Sequence, residues 1–191
     1  MKRLFDFTAS LIGLIALFPI FIIVSVLVKT TSKGPVFFIQ KRIGKNGLVF
    51  QMIKFRSMIE IQNSNSTISV RGDIRITKIG AFLRKFKLDE LPELWNVLKG
   101  DMSIVGPRPD VCGYADNLIG EDRKILELRP GITGFASLKY YDEEDILATQ
   151  ENPLRFNDEV IYPDKVKLNL DYYYNNNLWI DIKIIFATIF R

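Results

Sequence analysis

The sequence predicts an α+β fold: a mostly helical single domain with a small β-hairpin, an N-terminal re-entrant membrane helix and amphipathic interfacial helices. Three observations predict it. Residues 11–28 form an apolar stretch without a charged residue. Two short β-rich stretches flank the dipeptide Asn46-Gly47. Apolar residues recur at helical spacing through the rest of the chain. With 191 residues, the chain is long enough for one domain with a substantial core.

The apolar stretch from Leu11 to Val28 has about the minimum length at which a helix can enter a bilayer. A cleaved signal peptide is disfavoured, because Asp6 closely follows the basic N-terminus and no small-residue cleavage site ends the stretch. A spanning helix fits by length. However, basic residues lie on both sides, so the positive-inside rule gives no preferred orientation.

Pro19 lies near the middle of this stretch, where it removes one backbone donor and bends a helix. A bend there would return both positively charged ends to the same face of the membrane, so a re-entrant helix is favoured over a spanning one. A core helix of a soluble protein is the third alternative. It is disfavoured because such helices usually show a polar face, and this stretch shows none.

The elements after residue 33 begin with a hairpin and continue as helices. Val36–Lys41 and Leu48–Lys54 are predicted strands, joined through Gly44-Lys45-Asn46-Gly47. Polar residues 62–69 predict a loop. Helical spacing then predicts helices over residues 77–86, from about residue 89 to residue 100, and over residues 116–128, 166–175 and 179–190. The last helix is amphipathic, and packing in the core or on a membrane surface would account for it equally.

Composition narrows the chemistry. Histidine is absent, so any acid, base, nucleophile or hard-metal ligand must come mainly from Asp and Glu. Cys112 is the single cysteine, so an intrachain disulfide is excluded. Without a histidine to activate it, this thiol is also a poor nucleophile. The net charge of +4 suits an anionic partner, although it is also within ordinary scatter. Nucleic-acid binding is disfavoured, because the basic residues are dispersed and no recognition helix stands out.

Asp89 and Glu90 are adjacent carboxylates at the predicted start of a helix, just before Pro92. Backbone N–H groups at a helix start stabilise negative charge. A carboxylate pair also suits Mg²⁺, which prefers oxygen ligands and shares them with substrate phosphates. In isolation, an Asp cap followed by a first-turn Glu is usually structural. The surrounding cations favour a catalytic pair instead, with a carboxylate attacking phosphorus while arginines and a metal neutralise phosphoryl oxygens.

Those cations are predicted to bind substrate phosphate. Arg108 lies between Pro107 and Pro109, which restrict the backbone and hold the direction of the guanidinium group. Lys54 and Arg56 lie at the end of the second strand, and Arg84 precedes Asp89 by about one and a half helical turns. Arg129 opens a glycine-bearing turn that could offer backbone N–H groups to an anion.

These motifs make the chain resemble a bacterial sugar transferase of the small monotopic phosphoglycosyl transferase type. The resemblance covers nearly the whole chain. The motifs that carry it are Gly34-Pro35-Val36-Phe37-Phe38, Lys54-Phe55-Arg56-Ser57-Met58, Leu88-Asp89-Glu90-Leu91-Pro92, Asn96-Val97-Leu98-Lys99-Gly100-Asp101-Met102-Ser103, Val105-Gly106-Pro107-Arg108-Pro109 and Arg129-Pro130-Gly131-Ile132-Thr133-Gly134.

The resemblance implies a membrane anchor at residues 1–33, bent at Pro19, and a catalytic domain at residues 34–191 packed on the cytoplasmic face of the bacterial inner membrane. It implies ping-pong, Mg²⁺-dependent transfer of a sugar 1-phosphate from a UDP-sugar to a polyprenol phosphate, typically undecaprenyl phosphate, with release of UMP. Asp89 maps to the nucleophile, Glu90 to its partner and Arg108 to a phosphate contact. Membrane lipids and downstream glycosyltransferases of surface-glycan assembly are implied partners.

The sequence departs from the family at two positions. Lys87 stands where a small hydroxyl residue is common, and Phe18 where a small polar residue usually precedes the proline. Two other functions remain as alternatives. A membrane-bound nucleotide-sugar pyrophosphatase would use the same dyad and metal, with water in place of the lipid phosphate. A non-catalytic membrane scaffold would require Asp89 to be dispensable, and the intact carboxylate pair argues against it.

Overall fold

The structure is a computed structural model that describes residues 1–59 and 72–191, so the predicted loop at residues 62–69 lies outside the described residues. The predicted mostly helical fold with a small hairpin is confirmed. In chain order the elements are α1 (Lys2–Ala16), α2 (Phe18–Thr31), β1 (Phe37–Ile43), β2 (Val49–Phe55), α3 (Lys78–Lys85), α4 (Glu93–Lys99), β3 (Ser103–Val105), β4 (Gly131–Thr133), α5 (Phe135–Lys139), α6 (Glu143–Ala148), α7 (Pro153–Phe156), α8 (Tyr162–Asn175) and α9 (Leu178–Ile189).

The apolar N-terminal stretch forms two helices rather than one. α1 and α2 meet at Leu17 with a bend of 62°, and Pro19 lies in the first turn of α2, where its missing N–H costs little. Among the described residues, no single helix is long and apolar enough to cross a membrane. The bent pair taken together meets this requirement by length and composition. Many apolar side chains of the pair are exposed, such as Ile15 and Phe18.

The first six residues of α1 are tied to the rest of the chain by polar contacts. Lys2 Nζ lies 2.5 Å from Asp181 Oδ2 of α9. Arg3 donates to the carbonyl oxygens of the last turn of α4 at 2.5 and 2.8 Å, where carbonyls lack helical partners. The buried Asp6 carboxylate accepts from Ser103 Oγ at 2.9 Å and from Ile104 N at 3.1 Å. The start of α1 is therefore built into the fold.

The far end of α2 is tied down as well. Arg56, which follows β2, donates to the carbonyl oxygens of Ser32 at 2.8 Å and Lys33 at 2.9 Å, and so caps the C-terminus of α2. Apolar packing supports the contact, because Val24 and Val28 of α2 form a buried cluster with Phe55 and Leu83. Both ends of the bent pair thus contact the same body.

The hairpin forms as predicted, with antiparallel pairing from Phe37 opposite Phe55 to Ile43 opposite Val49. Its turn holds Asn46 at a φ of 58°, a left-handed conformation that asparagine tolerates. The free edge of β2 is closed by a side chain of α4. Asn96 Oδ1 accepts from Ile53 N at 3.0 Å, and Asn96 Nδ2 donates to Gln51 O at 2.7 Å. This amide therefore pairs with the strand edge as a neighbouring strand would.

A two-stranded parallel sheet, which the sequence did not predict, joins β3 to β4. Its strands leave residues 106–109 and 131–134 lying side by side. Gly131 N donates to Pro107 O at 2.7 Å, and Gly106 N donates to Thr133 O at 2.9 Å. The approach needs glycine, since a Cβ atom on Gly131 would stand 2.1 Å from Gly106 N.

The helix predictions are confirmed for α3, α4, α8 and α9 and wrong for residues 116–128. That segment forms two short 3₁₀ turns, Ala115–Asn117 and Asp122–Glu127. Gly120, between them, adopts a φ of 58°, which a right-handed helix cannot contain. α8 begins earlier than predicted, at Tyr162, because Pro163 fits its first turn. A single π-helical turn, Asn157–Ile161, joins α7 to α8.

Candidate active site

The carboxylate dyad lies in a tight turn between α3 and α4. Lys87 enters it with a left-handed φ of 54°, and Leu88–Glu90 form one 3₁₀ turn before α4 begins. Asp89 and Glu90 are both buried, with 5% and 7% of their surface exposed. Buried carboxylates require partners, because taking an unpaired charge out of water is costly. The partners of the two residues differ sharply.

Glu90 is held by two cations. Its Oε1 atom accepts from Arg108 Nη2 at 2.6 Å and from Lys54 Nζ at 2.8 Å. Burial alone would raise the pKa of Glu90, but Arg108 and Lys54 outweigh burial and hold this pKa well below its usual range. Glu90 raises the pKa of Arg108 in return. Glu90 is therefore a fixed, ionised group at neutral pH.

Asp89 has a different environment. Its Oδ1 atom is buried and has no hydrogen-bond partner among the described residues. Burial and the neighbouring Glu90 charge raise the pKa of Asp89, while Lys54, Arg84 and Lys87 act in the opposite direction. Two adjacent carboxyl groups whose pKa values are driven apart are typical of a site where they have separate roles.

A third carboxylate, Glu93, completes this group and was missed from the sequence. Its Oε1 atom lies 3.1 Å from Lys54 Nζ, and only 2% of the residue is exposed. Burial raises the pKa of Glu93 to about 7, against the opposing effect of Lys54. The available signal was its spacing. Glu93 follows Glu90 by three residues and Asp89 by four, and residues at these spacings lie on the same face of a helix.

The remaining predicted cations divide into two sets. Arg84 pairs with Glu144 of α6 and is close enough to Asp89 to lower its pKa. Arg56 caps α2, as described above. Arg129 Nε donates to Gly100 O at 2.9 Å, at the end of α4. The structure thus gathers Lys54 and Arg108 at the dyad with Arg84 beside it, whereas the guanidinium groups of Arg56 and Arg129 are engaged with backbone carbonyls. Phosphate binding by these five residues stays a prediction.

Arg42 of β1 contacts the segment Pro107-Arg108-Pro109, and Gln40 of the same strand holds Arg42. Both were missed from the sequence, where the charge of Arg42 was the available signal. Arg42 Nη1 donates to Pro109 O at 3.0 Å. Its Nε and Nη2 atoms donate to Gln40 Oε1 at 3.1 and 2.6 Å. Burial and the nearby Arg108 charge lower the pKa of Arg42 to about 10, so it stays protonated at neutral pH.

The two positions that depart from the family pattern have distinct surroundings. Lys87 Nζ lies 5.4 Å from the centroid of the Tyr141 ring, a cation–π distance. Phe18, at the bend between α1 and α2, is 62% exposed.

The bent pair contacts α4, the helix that follows the dyad. Gly13 of α1 lies so close to Leu94 of α4 that a Cβ atom on Gly13 would stand 3.3 Å from Leu94 Cδ1.

The donor set at the dyad fits a divalent cation in part. The described residues contain no cluster of three or more carboxylates, cysteines or histidines arranged around a common metal position. Asp89 Oδ1, which is buried and has no hydrogen-bond partner in the described part of the chain, is available as an oxygen donor. Glu90 Oε1 is already shared by two cations. A single protein carboxylate with substrate phosphates and water is a common arrangement for Mg²⁺.

Comparison with known proteins gives concordant matches. A family model described as bacterial sugar transferase matches residues 1–191. A UDP-glucose:undecaprenyl-phosphate glucose-1-phosphate transferase of Klebsiella pneumoniae is 40% identical over 195 residues, covering 100% of this chain and 39% of that protein. A UDP-N-acetylgalactosamine-undecaprenyl-phosphate N-acetylgalactosaminephosphotransferase of Aeromonas hydrophila is 36% identical, covering 99% of this chain and 43% of that protein.

Relatives of similar length also occur. The exopolysaccharide production protein PSS of Rhizobium leguminosarum bv. phaseoli is 37% identical, and the match covers 99% of this chain and 93% of that protein. The chain therefore spans about two fifths of the length of the first two relatives and nearly all of the third.

Proposed function

The chain belongs to the bacterial sugar transferase family, and from this premise we propose that it transfers a sugar 1-phosphate from a UDP-sugar to undecaprenyl phosphate, with release of UMP. The names of its relatives support this reaction type. The observation that carries the proposal is the Asp89 carboxyl group. Its Oδ1 atom is buried, has no partner among the described residues, and lies next to a Glu90 that two cations hold in place.

Asp89 is the proposed nucleophile of the first step. An Asp89 carboxylate oxygen attacks the β-phosphorus of the UDP-sugar and forms a new oxygen–phosphorus bond. The bond from that phosphorus to the bridging oxygen breaks, and UMP leaves with the electron pair. The product on the protein is an acyl phosphate that carries the sugar, which is activated for a second transfer. Lys54 and Arg108 are the proposed groups that neutralise charge on the phosphoryl oxygens.

The surroundings of Asp89 must keep it ionised for this attack. Burial opposes ionisation, since it raises the pKa of Asp89. The charges of Lys54, Arg84 and Lys87 favour the carboxylate. Glu90 stays ionised with its own cations and therefore does not compete for the proton. This arrangement gives one desolvated carboxylate with an open oxygen, which is a stronger nucleophile than a hydrated one.

Mg²⁺ is the proposed cofactor. Asp89 and Glu90 are its proposed protein ligands, with the partner-free Asp89 Oδ1 as the better placed of the two. Charge supports the assignment, because the ion pairs of Glu90 and Glu93 are with Lys54 and Arg108, and the donor diphosphate adds further negative charge beside Asp89. When bound, the metal would supply charge neutralisation of the diphosphate.

The second step returns Asp89 to its starting state. A phosphate oxygen of undecaprenyl phosphate attacks the phosphorus of the intermediate, the Asp89 oxygen–phosphorus bond breaks, and the carboxylate is regenerated. The product is undecaprenyl-diphospho-sugar, the starting point for surface-glycan assembly by downstream glycosyltransferases. Two relatives, named as exopolysaccharide production proteins, support a role of this kind.

A monotopic position on the cytoplasmic face of the bacterial inner membrane is part of the proposal, with residues 1–33 as the anchor and residues 34–191 as the catalytic domain. The bent pair supports it. The start of α1 is held to the rest of the chain by Lys2, Arg3 and Asp6. The end of α2 is held to the same part of the chain by Arg56. A pair that spanned a membrane would place its two ends about 30 Å apart on opposite sides. Both ends contact one domain, which favours a re-entrant arrangement.

The test of the proposed function is the intact mass of the purified full chain after mixing with Mg²⁺ and a panel of UDP-sugars, without lipid. We expect a gain of one sugar phosphate with the correct donor. This gain should be absent from Asp89→Asn and present in the exposed control Asp122→Asn. Undecaprenyl phosphate should then remove the adduct. One UMP per protein accompanies adduct formation, so continued UMP release in excess of the protein without lipid would indicate hydrolysis instead, and an adduct on Asp89→Asn would refute the assigned nucleophile.

A further inference from the structure

The segment Pro107-Arg108-Pro109 presents Arg108 to Glu90, and its two prolines limit how that segment can be held. Proline has no backbone N–H, so the segment offers carbonyl oxygens but few donors. It can be fixed only by donors from elsewhere in the fold. Three donors contact the segment or Asp110, the residue that follows it. Gly131 N donates to Pro107 O at 2.7 Å, Arg42 Nη1 to Pro109 O at 3.0 Å, and Ile43 N to Asp110 O at 2.9 Å.

Of these three donors, Arg42 alone is a side chain, and it is itself fixed. Gln40, two residues earlier on β1, accepts from both Arg42 Nε and Arg42 Nη2 at 3.1 and 2.6 Å. Residues two apart on a strand share a face, which places both side chains on the side of β1 that meets this segment. Three of the five N–H bonds of the guanidinium group are thereby committed to Gln40 and Pro109.

The position of Arg108 depends on that support. Its side chain is 40% exposed, and its recorded ion pair is with Glu90 Oε1 at 2.6 Å. Fixing a long, half-exposed arginine side chain costs conformational entropy. A backbone that is already held in place reduces the movement of the guanidinium group and so helps to keep Arg108 in position. The chain of contacts runs from Gln40 through Arg42 and Pro109 to Arg108 and ends at the dyad.

We propose that Gln40 and Arg42 are positioning residues, which hold the Pro107-Arg108-Pro109 segment so that Arg108 can receive the diphosphate of a nucleoside diphosphate sugar. The inference rests on the proposed function and names residues of β1 that act on the site through Arg108. Arg42 also adds a positive charge near Arg108. Position and charge can be separated by mutation, because Gln40→Leu removes the support of Arg42 without changing any charge.

The experiment measures the dissociation constant of UDP by calorimetry, using the full chain in detergent with Mg²⁺. We expect Gln40→Leu and Arg42→Lys each to weaken UDP binding about tenfold, the size of one charge-assisted hydrogen bond. Gln51→Leu is the matched control. Gln51 lies opposite Lys41 in the hairpin, on the other face from Gln40, and should bind UDP as the unaltered chain does. Melting temperatures measured in parallel show whether each variant is folded.

A double-mutant cycle tests whether the effect passes through Arg108. In an Arg108→Met background, Gln40→Leu should weaken UDP binding less than twofold, because the group that it positions is gone. A full tenfold effect in that background, or unchanged binding in Gln40→Leu alone, would overturn the inference. Failure of the unaltered chain to bind UDP would overturn the proposed function together with this inference. UDP binding by the unaltered chain with no effect of Gln40→Leu would overturn this inference alone, so the two failures are distinguishable.

Discussion

Arg108 Nη2 lies 2.6 Å from Glu90 Oε1, across 18 positions of sequence, and the same carboxylate oxygen also accepts from Lys54. One oxygen thus gathers two cations, while the neighbouring Asp89 Oδ1 has no partner in the described part of the chain. The two carboxyl groups are adjacent in sequence and opposite in environment. This asymmetry supports the proposal that Glu90 anchors the two cations and that Asp89 is the nucleophile.

Arg108→Lys should slow UMP formation from the UDP-sugar by about 10-fold to 100-fold. Lysine keeps the charge but cannot present a planar pair of donors to Glu90 and a phosphate, and a charge-assisted hydrogen bond contributes about 1.5–3 kcal/mol. Initial rates of UMP release with donor and undecaprenyl phosphate measure the effect. Arg155→Lys is the matched control, because Arg155 forms an exposed pair with Glu159. Equal rates for both variants would contradict a role of the guanidinium group.

Asn96→Leu should destabilise the fold strongly. The Asn96 side chain is fully buried and satisfies both Ile53 N and Gln51 O at the edge of β2. Leucine is similar in size but would leave these two backbone groups unpaired, at a cost of about 1–3 kcal/mol each. The melting temperature in detergent should fall by many degrees. Asn175→Leu, at an exposed position on α8, provides the comparison and should melt close to the unaltered chain.

Asp6 offers a graded pair of variants. Asp6→Leu removes the acceptor of Ser103 Oγ and Ile104 N, so a partly buried N–H group loses its partner. We expect a loss of stability of about 1–3 kcal/mol. Asp6→Asn keeps one carbonyl oxygen for Ile104 N and a polar group for Ser103, and should lose less. Thermal unfolding of the two variants checks the order, and an Asn variant that melts at or below the Leu variant would contradict the assigned contacts.

Glu93 should make stability depend on pH. Burial raises its pKa from 4.5 to about 7, so the folded state binds this proton more tightly than the unfolded state does. The resulting stabilisation is present below pH 4.5 and is lost as the pH rises towards 7. It amounts to about 3 kcal/mol, since one pKa unit corresponds to about 1.4 kcal/mol. Glu93→Gln removes this titration.

The measurement is the difference in melting temperature between Glu93→Gln and the unaltered chain, taken at pH 5 and at pH 8. The variant should gain relative to the unaltered chain by several degrees at the higher pH. Comparing the two chains at each pH cancels the titration of the other carboxyl groups. A difference that stays constant between the two pH values would show that Glu93 is ionised throughout.

Local sequence signals predicted the elements that depend on neighbouring residues. Asn46-Gly47 predicted the hairpin turn, and apolar spacing predicted α3, α4 and α9. The parallel pairing of β3 with β4 could not be predicted, because each strand has three residues, too few for a periodic pattern, and the partners are 28 positions apart. The helix predicted over residues 116–128 failed at Gly120, whose backbone conformation its apolar neighbours do not reveal.

The site was predicted in part for the same reason. Asp89, Glu90 and Arg108, which the structure brings together, were singled out because a dyad before a proline and an arginine between prolines are unusual patterns. Cations alone carry no such information. Arg56 was grouped with Lys54 by charge, yet it caps α2, because the carbonyl oxygens at a helix C-terminus attract a guanidinium group as an anion does. Which anionic group a given arginine meets is decided by tertiary contacts.

The contacts at the two ends of the bent pair also define which segment of the chain could be exchanged between relatives. Residues 1–6 share buried polar partners with α4, β3 and α9, and Ser32 and Lys33 accept from Arg56. A graft that joins a foreign anchor at residue 33 would discard the first set and leave Asp181 buried without its lysine. Exchange of residues 7–31 alone would keep the polar contacts at both ends, and it would also keep the packing of the bent pair if Gly13, Val24 and Val28 were retained.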